Sequence, residues 1–207
     1  MTQKAPPVCG VLLAGGQSRR MGGGDKCLRP LGGRPILSHI VERARPQVEA
    51  LVLNANGDPA RFAEFGLPVA ADRFEGFAGP LAGVLTGMEW THENAPHCPL
   101  IATFPTDAPF FPSDLVEVME ESLRLGGAEL ACAASDGRLH PVFGLWPVRL
   151  APALREALEG GARKVDDWTA GYRLIEVEFP SSGFDPFFNT NRPEDLDEAE
   201  RLLAEHG

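Results

Sequence analysis

The sequence predicts an α/β fold built on a mostly parallel sheet with helices on both faces. Three observations carry this. Short, uninterrupted apolar runs recur along the chain, as expected of strands buried on both sides. Segments with helical periodicity lie between them. Glycine and proline punctuate the junctions, 23 and 19 of them in 207 residues, which marks short loops and leaves no stretch that reads as a linker, a repeat or a low-complexity tract.

The first strand is expected at residues 8–14, VCGVLLA, bounded by Pro7 and Gly15. Similar runs at 51–53, 69–71, 100–104 and 130–134 supply further strands. A helix over 35–48 carries Ile36, Leu37, Ile40, Val41 and Ala44 on one side, and Gly79-Pro80-Leu81-Ala82-Gly83 opens another. A third helix over 112–125 presents Leu115, Val118, Met119 and Ser122, with Gly126 placed to stop it. Beyond residue 140 the pattern loosens. Residues 142–146 and 173–179 read as strands around a helix near 148–158, and a last helix over 193–205 buries Leu196, Ala199, Leu202 and Leu203, with Glu194 and Asp195 in its first turn.

With 207 residues and 43% hydrophobic content, the chain is expected to form a single domain, 1–207, around one sizeable core. No segment reaches the roughly 18 uninterrupted apolar residues of a membrane span. The N-terminal residues do not resemble a signal peptide, so the cytoplasm is the expected compartment. Cys9, Cys27, Cys98 and Cys132 form no C-x-x-C pair and read as reduced thiols. A net charge of −10 argues against nucleic acid as a partner, because duplex binding relies on a basic face. Any anionic ligand must be held locally, and Arg19, Arg20, Lys26 and Arg29 form the richest positive cluster.

In open α/β sheets, ligands sit beyond the carboxyl ends of the strands. That rule selects Gly15 to Asp25 after the first strand, Asn54 and Asn56 after the second, Asp72 after the third and Asp107 after the fourth. The first of these loops, Leu13-Ala14-Gly15-Gly16-Gln17-Ser18-Arg19-Arg20-Met21-Gly22-Gly23-Gly24-Asp25-Lys26, has glycines that let backbone N–H groups approach a phosphate chain. It matches neither G-x-G-x-x-G running into a helix nor G-x-x-x-x-G-K-[ST], which disfavours a hydride-transfer enzyme and a P-loop NTPase. Ser18 is no nucleophile elbow, since G-x-S-x-G fails at Arg20.

Phe104-Pro105-Thr106-Asp107-Ala108-Pro109 ends an apolar strand with one carboxylate. Magnesium takes oxygen ligands, commonly one or two carboxylates plus substrate phosphates, so Asp107 is a candidate metal ligand. The alternative is an Asx-type turn or the cap of the helix near Pro112, and Asp72 has the same ambiguity. Asn189-Thr190-Asn191 places two amides one residue apart before the last helix, where Asn191 is either a ligand or a helix cap. His140, between Leu139 and Pro141, has no evident sequence partner and is read as facing substrate.

Leu13-Ala14-Gly15-Gly16, Arg20-Met21-Gly22, Asp25-Lys26, Asn54-Ala55-Asn56, Asp72, Gly79-Pro80-Leu81-Ala82-Gly83, Asp107 in P-T-D-A-P, His140-Pro141 and Asn189-Thr190-Asn191-Arg192-Pro193-Glu194-Asp195 together resemble the molybdenum cofactor guanylyltransferase (MobA) family. The resemblance implies a Rossmann-like nucleotidyltransferase fold that joins GMP from GTP to the phosphate of molybdopterin and releases pyrophosphate, with Mg2+ as cofactor. It further implies that Leu13, Ala14, Gly15 and Gly16 line the nucleotide site, that Arg20 and Lys26 meet phosphates, and that Asn54 and Asp72 contact the nucleoside. Asp107 holds the metal, and Arg20, Lys26 and Asp107 are the catalytic set. His140, Asn189 and Asn191 fall on the acceptor side. Residues of about 8–110 would then bind the nucleotide and those of about 135–207 the acceptor. The run Gly22 to Gly24, and Cys27 after the lysine, depart slightly from the family pattern.

Three rival functions are a CTP-dependent molybdopterin cytidylyltransferase, a sugar-phosphate nucleotidyltransferase and a non-catalytic nucleotide-binding partner. Leu-Ala-Gly-Gly, where the cytidylyl relatives resemble Leu-Ala-Ala-Gly, disfavours the first, and retention of Arg20, Lys26 and Asp107 disfavours the last. The expected state is a monomer or weak oligomer. Proteins of molybdenum cofactor biosynthesis, or acceptors of its product, are the expected partners.

Overall fold

A computed structural model describes residues 6–14, 25–74 and 79–206. The elements follow in the expected order. Strand β1 (Val8–Leu13) leads through a small hairpin, β2 (Pro30–Leu31) and β3 (Arg34–Pro35), into helix α1 (Ile36–Ala44), then β4 (Ala50–Asn54) and β5 (Val69–Ala70). Helix α2 (Pro80–Asn94), β6 (Leu100–Pro105), α3 (Leu115–Gly126), β7 (Leu130–Ser135) and β8 (Arg138–Pro147) come next. The chain closes with α4 (Ala151–Glu159), α5 (Val165–Thr169), β9 (Leu174–Glu178) and α6 (Pro193–His206).

A seven-stranded sheet of order β5-β4-β1-β6-β8-β7-β9 runs through the molecule. It is mostly parallel, as expected; β8 alone runs antiparallel, to both β6 and β7. Alternation explains the apolar runs. In β1, Val8 and Leu12 face the core shared with α1, α3 and α6, whereas Cys9 and Val11 face the core shared with α2, α4 and α5. A strand covered on both faces has no polar side to display. Helix α2 lies so close to β1 that a Cβ at Gly87 would meet Val11 Cγ2 at 2.6 Å.

Several boundaries differ from expectation for local reasons. Helix α1 gives way at Ala44 to a 3-10 turn, Arg45–Gln47, because Pro46 has no N–H to donate to the helical ladder. Helix α3 starts at Leu115 and is stopped by Gly127, whose φ of 58° is left-handed, rather than by Gly126. Strand β8 begins at Arg138, four residues earlier than expected. Asp136 (φ 49°) and Gly137 (φ 72°) form a tight reversal that pairs Ser135 with Arg138. Two successive positive φ values are the signature of a type I′ hairpin, for which Asp-Gly is a favoured sequence.

Strand β8 is also bulged. Ala133 pairs with His140, but its neighbour Cys132 pairs with Gly144, so residues 141–143 are looped out of the ladder. Thr103 of β6 fills the gap. Its Oγ1 donates to the Val142 carbonyl at 2.7 Å and accepts from Gly144 N at 3.2 Å and Trp146 Nε1 at 2.9 Å. Bulges of this kind re-aim side chains beside sites. Among the described residues, no helix is long and apolar enough to cross a membrane.

Candidate active site

The sheet order reverses between β1 and β6, and the ends of these strands open onto a cleft of about 900 Å³. That volume lies at the upper end of ligand pockets. Strands β1, β4, β5 and β6 deliver Leu13, Asn54, Asp72 and Asp107 at their carboxyl ends. Because β8 is antiparallel, its amino-terminal end reaches the same edge, and residues 138–143 form the opposite wall with Asn189 and Asn191. Sites from both halves of the chain therefore meet in one cleft.

Lys26 opens a 3-10 turn, Lys26–Leu28, and its Nζ donates to Asp107 Oδ2 at 2.9 Å and to Asn191 Oδ1 at 2.6 Å. These three residues come from the beginning, middle and end of the chain. Thr106 ties the Asp107 loop to the end of β1, its Oγ1 donating to the Leu13 carbonyl at 3.1 Å. Thr190 N and Oγ1 both donate to the Asp107 carbonyl, at 2.8 and 3.0 Å. Asp107 is thus neither an Asx turn nor a cap of α3, which has Asp114 at its N-cap position. Nor does the Asn191 side chain cap α6. Asp195 Oδ2 accepts from the backbone N–H groups of Asn191 and Arg192, each at 2.7 Å, which leaves the amide to Lys26.

Asp72 is clamped by amides. Asn54 Nδ2 donates to its Oδ1 at 2.9 Å and Asn56 Nδ2 to its Oδ2 at 2.7 Å, while Asn56 Oδ1 accepts from Asp72 N at 2.8 Å. The Asn54 side-chain oxygen Oδ1 lies against Gly83 of α2, where a Cβ would approach it to 2.5 Å and Leu13 Cδ2 to 2.6 Å. Only glycine permits this contact, so the Gly-Pro-Leu-Ala-Gly motif is a packing device as well as a helix start. The N-cap Gly79 has φ 65° and ψ −154°, a conformation open essentially to glycine. Asp25 pairs with Arg61 Nε and accepts from its Nη2 at 3.3 Å; Nη2 also donates to the Asn56 carbonyl at 2.5 Å. Arg61 so joins the end of the glycine-rich segment to the Asp72 clamp.

His140 has partners that the sequence did not reveal. Its Nε2 lies 2.7 Å from Ser135 Oγ, which donates to Asp185 Oδ1 at 2.8 Å. The ring packs against Phe187 with centroids 4.5 Å apart, tilted by 35°. The order, with serine between carboxylate and imidazole, is not that of a hydrolase triad, where the carboxylate orients the histidine. Ser135 is also 2% exposed. Cys27 borders the cleft, but burial pushes its thiol up to about 12, which excludes a thiolate nucleophile at neutral pH.

Of the expected site residues, Leu13, Ala14, Lys26, Asn54, Asp72, Asp107, His140, Asn189 and Asn191 all line this cleft. Gly15, Gly16 and Arg20 lie outside the described residues. Asn56, selected by the strand-end rule, holds Asp72 in place, whereas Arg61, Thr106, Ser135, Asp185 and Thr190 were not expected as site residues. Among the described residues, no group of three or more His, Cys, Asp and Glu side chains forms a metal cage. A single carboxylate completed by substrate phosphates suits magnesium, and Asp107 beside Lys26 fits that pattern.

The MobA-like NTP transferase domain family matches residues 10–173. The chain is 50% identical over 208 residues to the molybdenum cofactor guanylyltransferase of Nitrobacter hamburgensis, covering 100% of each. It is 52% identical over 198 residues to that of Rhodopseudomonas palustris, covering 95% of this chain and 94% of the relative. The crystal structure of molybdopterin-guanine dinucleotide biosynthesis protein A from Archaeoglobus fulgidus superposes with a TM-score of 0.74 at 21% identity, over 96% of this chain and all of that one, and so shares the nucleotidyltransferase fold. By the match of family, of full-length relatives and of fold, the chain belongs to the molybdenum cofactor guanylyltransferase (MobA) family.

Proposed function

We propose that the protein transfers GMP from GTP to the phosphate of molybdopterin, with Mg2+ as the metal. The observation that carries this reading is the Lys26–Asp107 pair at the switch point of the sheet, with the Asn54–Asp72 clamp on one side of it and Asn189, Asn191 and His140 on the other. One basic and one acidic group at the centre of a two-sided cleft suit the joining of two phosphorylated substrates.

In this reading the triphosphate lies over Lys26, and the guanine amino group donates to Asp72, each of whose oxygens retains a lone pair beyond its amide bond. An oxygen of the acceptor phosphate attacks the α-phosphorus in line. The new P–O bond forms as the bond to the β-phosphate breaks, and pyrophosphate leaves. The acceptor phosphate is already anionic at neutral pH and needs no general base, in keeping with the absence of a histidine dyad aimed at Lys26 and Asp107 among the described residues. Catalysis then rests on alignment and charge neutralisation. Asp107 would hold magnesium, which when bound offsets charge on the triphosphate and on the departing pyrophosphate. Lys26 exchanges Asp107 and Asn191 for phosphate oxygens. Asn189 and Asn191 orient the acceptor, and the cytoplasm, where nucleotides are available, is the compartment this chemistry suits.

The test is to incubate the protein with molybdopterin, Mg2+ and each of GTP, CTP, ATP and UTP, and to follow pyrophosphate. GTP should be preferred by a large factor, since a site that bonds a substrate group rejects analogues lacking it. Equal turnover of CTP and GTP would overturn the guanylyl assignment.

A further inference from the structure

The Ser135–His140–Asp185 group belongs to no step of the transfer, yet Ser135 and His140 are buried, hydrogen bonds join the three side chains, and His140 stands in the wall of the cleft. Its protons can be counted. Asp185 Oδ1 receives two donors, Ser135 Oγ at 2.8 Å and the Phe187 backbone N–H at 2.9 Å. Serine has one proton and spends it on the carboxylate, so its oxygen must accept from His140 across the 2.7 Å contact. Nε2 therefore carries a hydrogen. Burial, the larger influence, holds the pKa of this imidazole below its ordinary value, against the pull of Asp185 and Glu178 and with that of Arg138. The ring is neutral at neutral pH, which leaves Nδ1 with a lone pair. Nδ1 makes no hydrogen bond among the described residues and is not among the sealed, unpartnered polar atoms, while His140 itself borders the cleft.

We propose that Ser135 and Asp185 are positioning residues that lock His140 in the Nε2–H tautomer, so that Nδ1 accepts a hydrogen bond from an N–H on the edge of the pterin acceptor. The inference rests on reading this wall as the acceptor side. A pterin edge carries N–H donors, and tilted packing against Phe187 restrains the plane in which the lone pair points. The carboxylate's role is to choose the tautomer and not to supply charge. An amide carbonyl at position 185 could accept the same two donors, so Asp185→Asn should preserve the arrangement and Asp185→Leu should not.

The test combines spectroscopy and kinetics on the full chain. In 15N-labelled protein, with the His140→Gln variant identifying the signal, a long-range 1H–15N correlation should show His140 protonated at Nε2 and bare at Nδ1. Ser135→Ala and Asp185→Leu should mix the tautomers and raise the KM for molybdopterin about tenfold, the scale of one hydrogen bond, with much smaller changes in kcat and in the KM for GTP. Asp185→Asn should restore both tautomer and KM. Three results would overturn the proposal: a proton on Nδ1 in the unaltered protein, a lost tautomer preference with an unchanged molybdopterin KM, or a rise in the KM for GTP instead. If no transfer occurs with GTP and molybdopterin, the proposed function fails by itself. The tautomer and the response of the Nδ1 signal to added molybdopterin still decide this one.

Discussion

Lys26 and Asp107 form an ion pair whose side chains retain 15% and 29% exposure, so as a structural contact it is worth little, about 1 kcal/mol or less. Its value lies in what it faces. Asp107→Asn should therefore lower the rate of pyrophosphate release by about a hundredfold or more, equivalent to roughly 3 kcal/mol of transition-state stabilisation, while thermal denaturation stays nearly unchanged. Lys26→Ala should behave alike. A parallel collapse of stability and rate would make the pair structural. Asp107 was legible in the sequence because it closely follows an apolar strand, where the strand-end rule looks for ligands, and Lys26 because it belongs to the basic cluster that closes the glycine-rich loop after the first strand. Arg61 and Asp185 were not legible: their partners Asp25 and Ser135 stand 36 and 50 positions away, and nothing local marks a common residue type as bonded across that distance.

At the scale of elements, the strands and most helices could be read because burial on both faces imposes apolar runs. The type I′ turn at Asp136-Gly137 is marked by its Asp-Gly sequence, whereas the bulge at residues 141–143 depends on Thr103, whose β-branched side chain suits any strand and does not mark a bulge. Helix α2 yields a sharp prediction. Gly83→Ala would press a methyl group into Asn54 Oδ1 and Leu13 Cδ2, displacing the amide that holds Asp72. The KM for GTP should rise about tenfold or more in initial-rate assays, by more than the KM for molybdopterin. Helix α3 yields another. Burial, with Glu117 adding to it, pushes Glu120 up to about 6, and its buried Oε1 has no hydrogen-bond partner among the described residues. A raised carboxyl pKa means that the folded state binds more protons than the unfolded one between 4.5 and about 6, so this group's contribution is present below 4.5 and lost as pH rises through 6. Glu120→Gln should raise the Tm by roughly 1–3 °C at pH 8, an advantage that thermal scans should find gone near pH 4.5.

At the scale of the molecule, a chain of net charge −10 must hold an anionic nucleotide in a cleft bordered by Asp25, Asp72 and Asp107. Asp25 is answered by Arg61, and Asp72 is held by neutral amides. Asp107 is the one whose partner, Lys26, is also the candidate phosphate ligand. Without metal, Asp107 both repels the triphosphate and occupies the lysine that should receive it. In the proposed function the same carboxylate would hold the cation that screens the phosphates, and the sign of its influence would reverse. The effect of Asp107→Asn on GTP affinity should accordingly depend on magnesium. In chelator-treated buffer the variant should bind GTP several-fold more tightly than the unaltered protein, since removing a charge near the phosphates is worth about 1 kcal/mol at the effective dielectric of a partly exposed cleft. In saturating Mg2+ the order should invert. Isothermal titration of both proteins under both conditions measures four affinities, and the crossing of the two lines is the decisive feature. A purely structural Asp107 would weaken GTP binding by the same factor with and without metal, and parallel lines would then remove this carboxylate from the metal site.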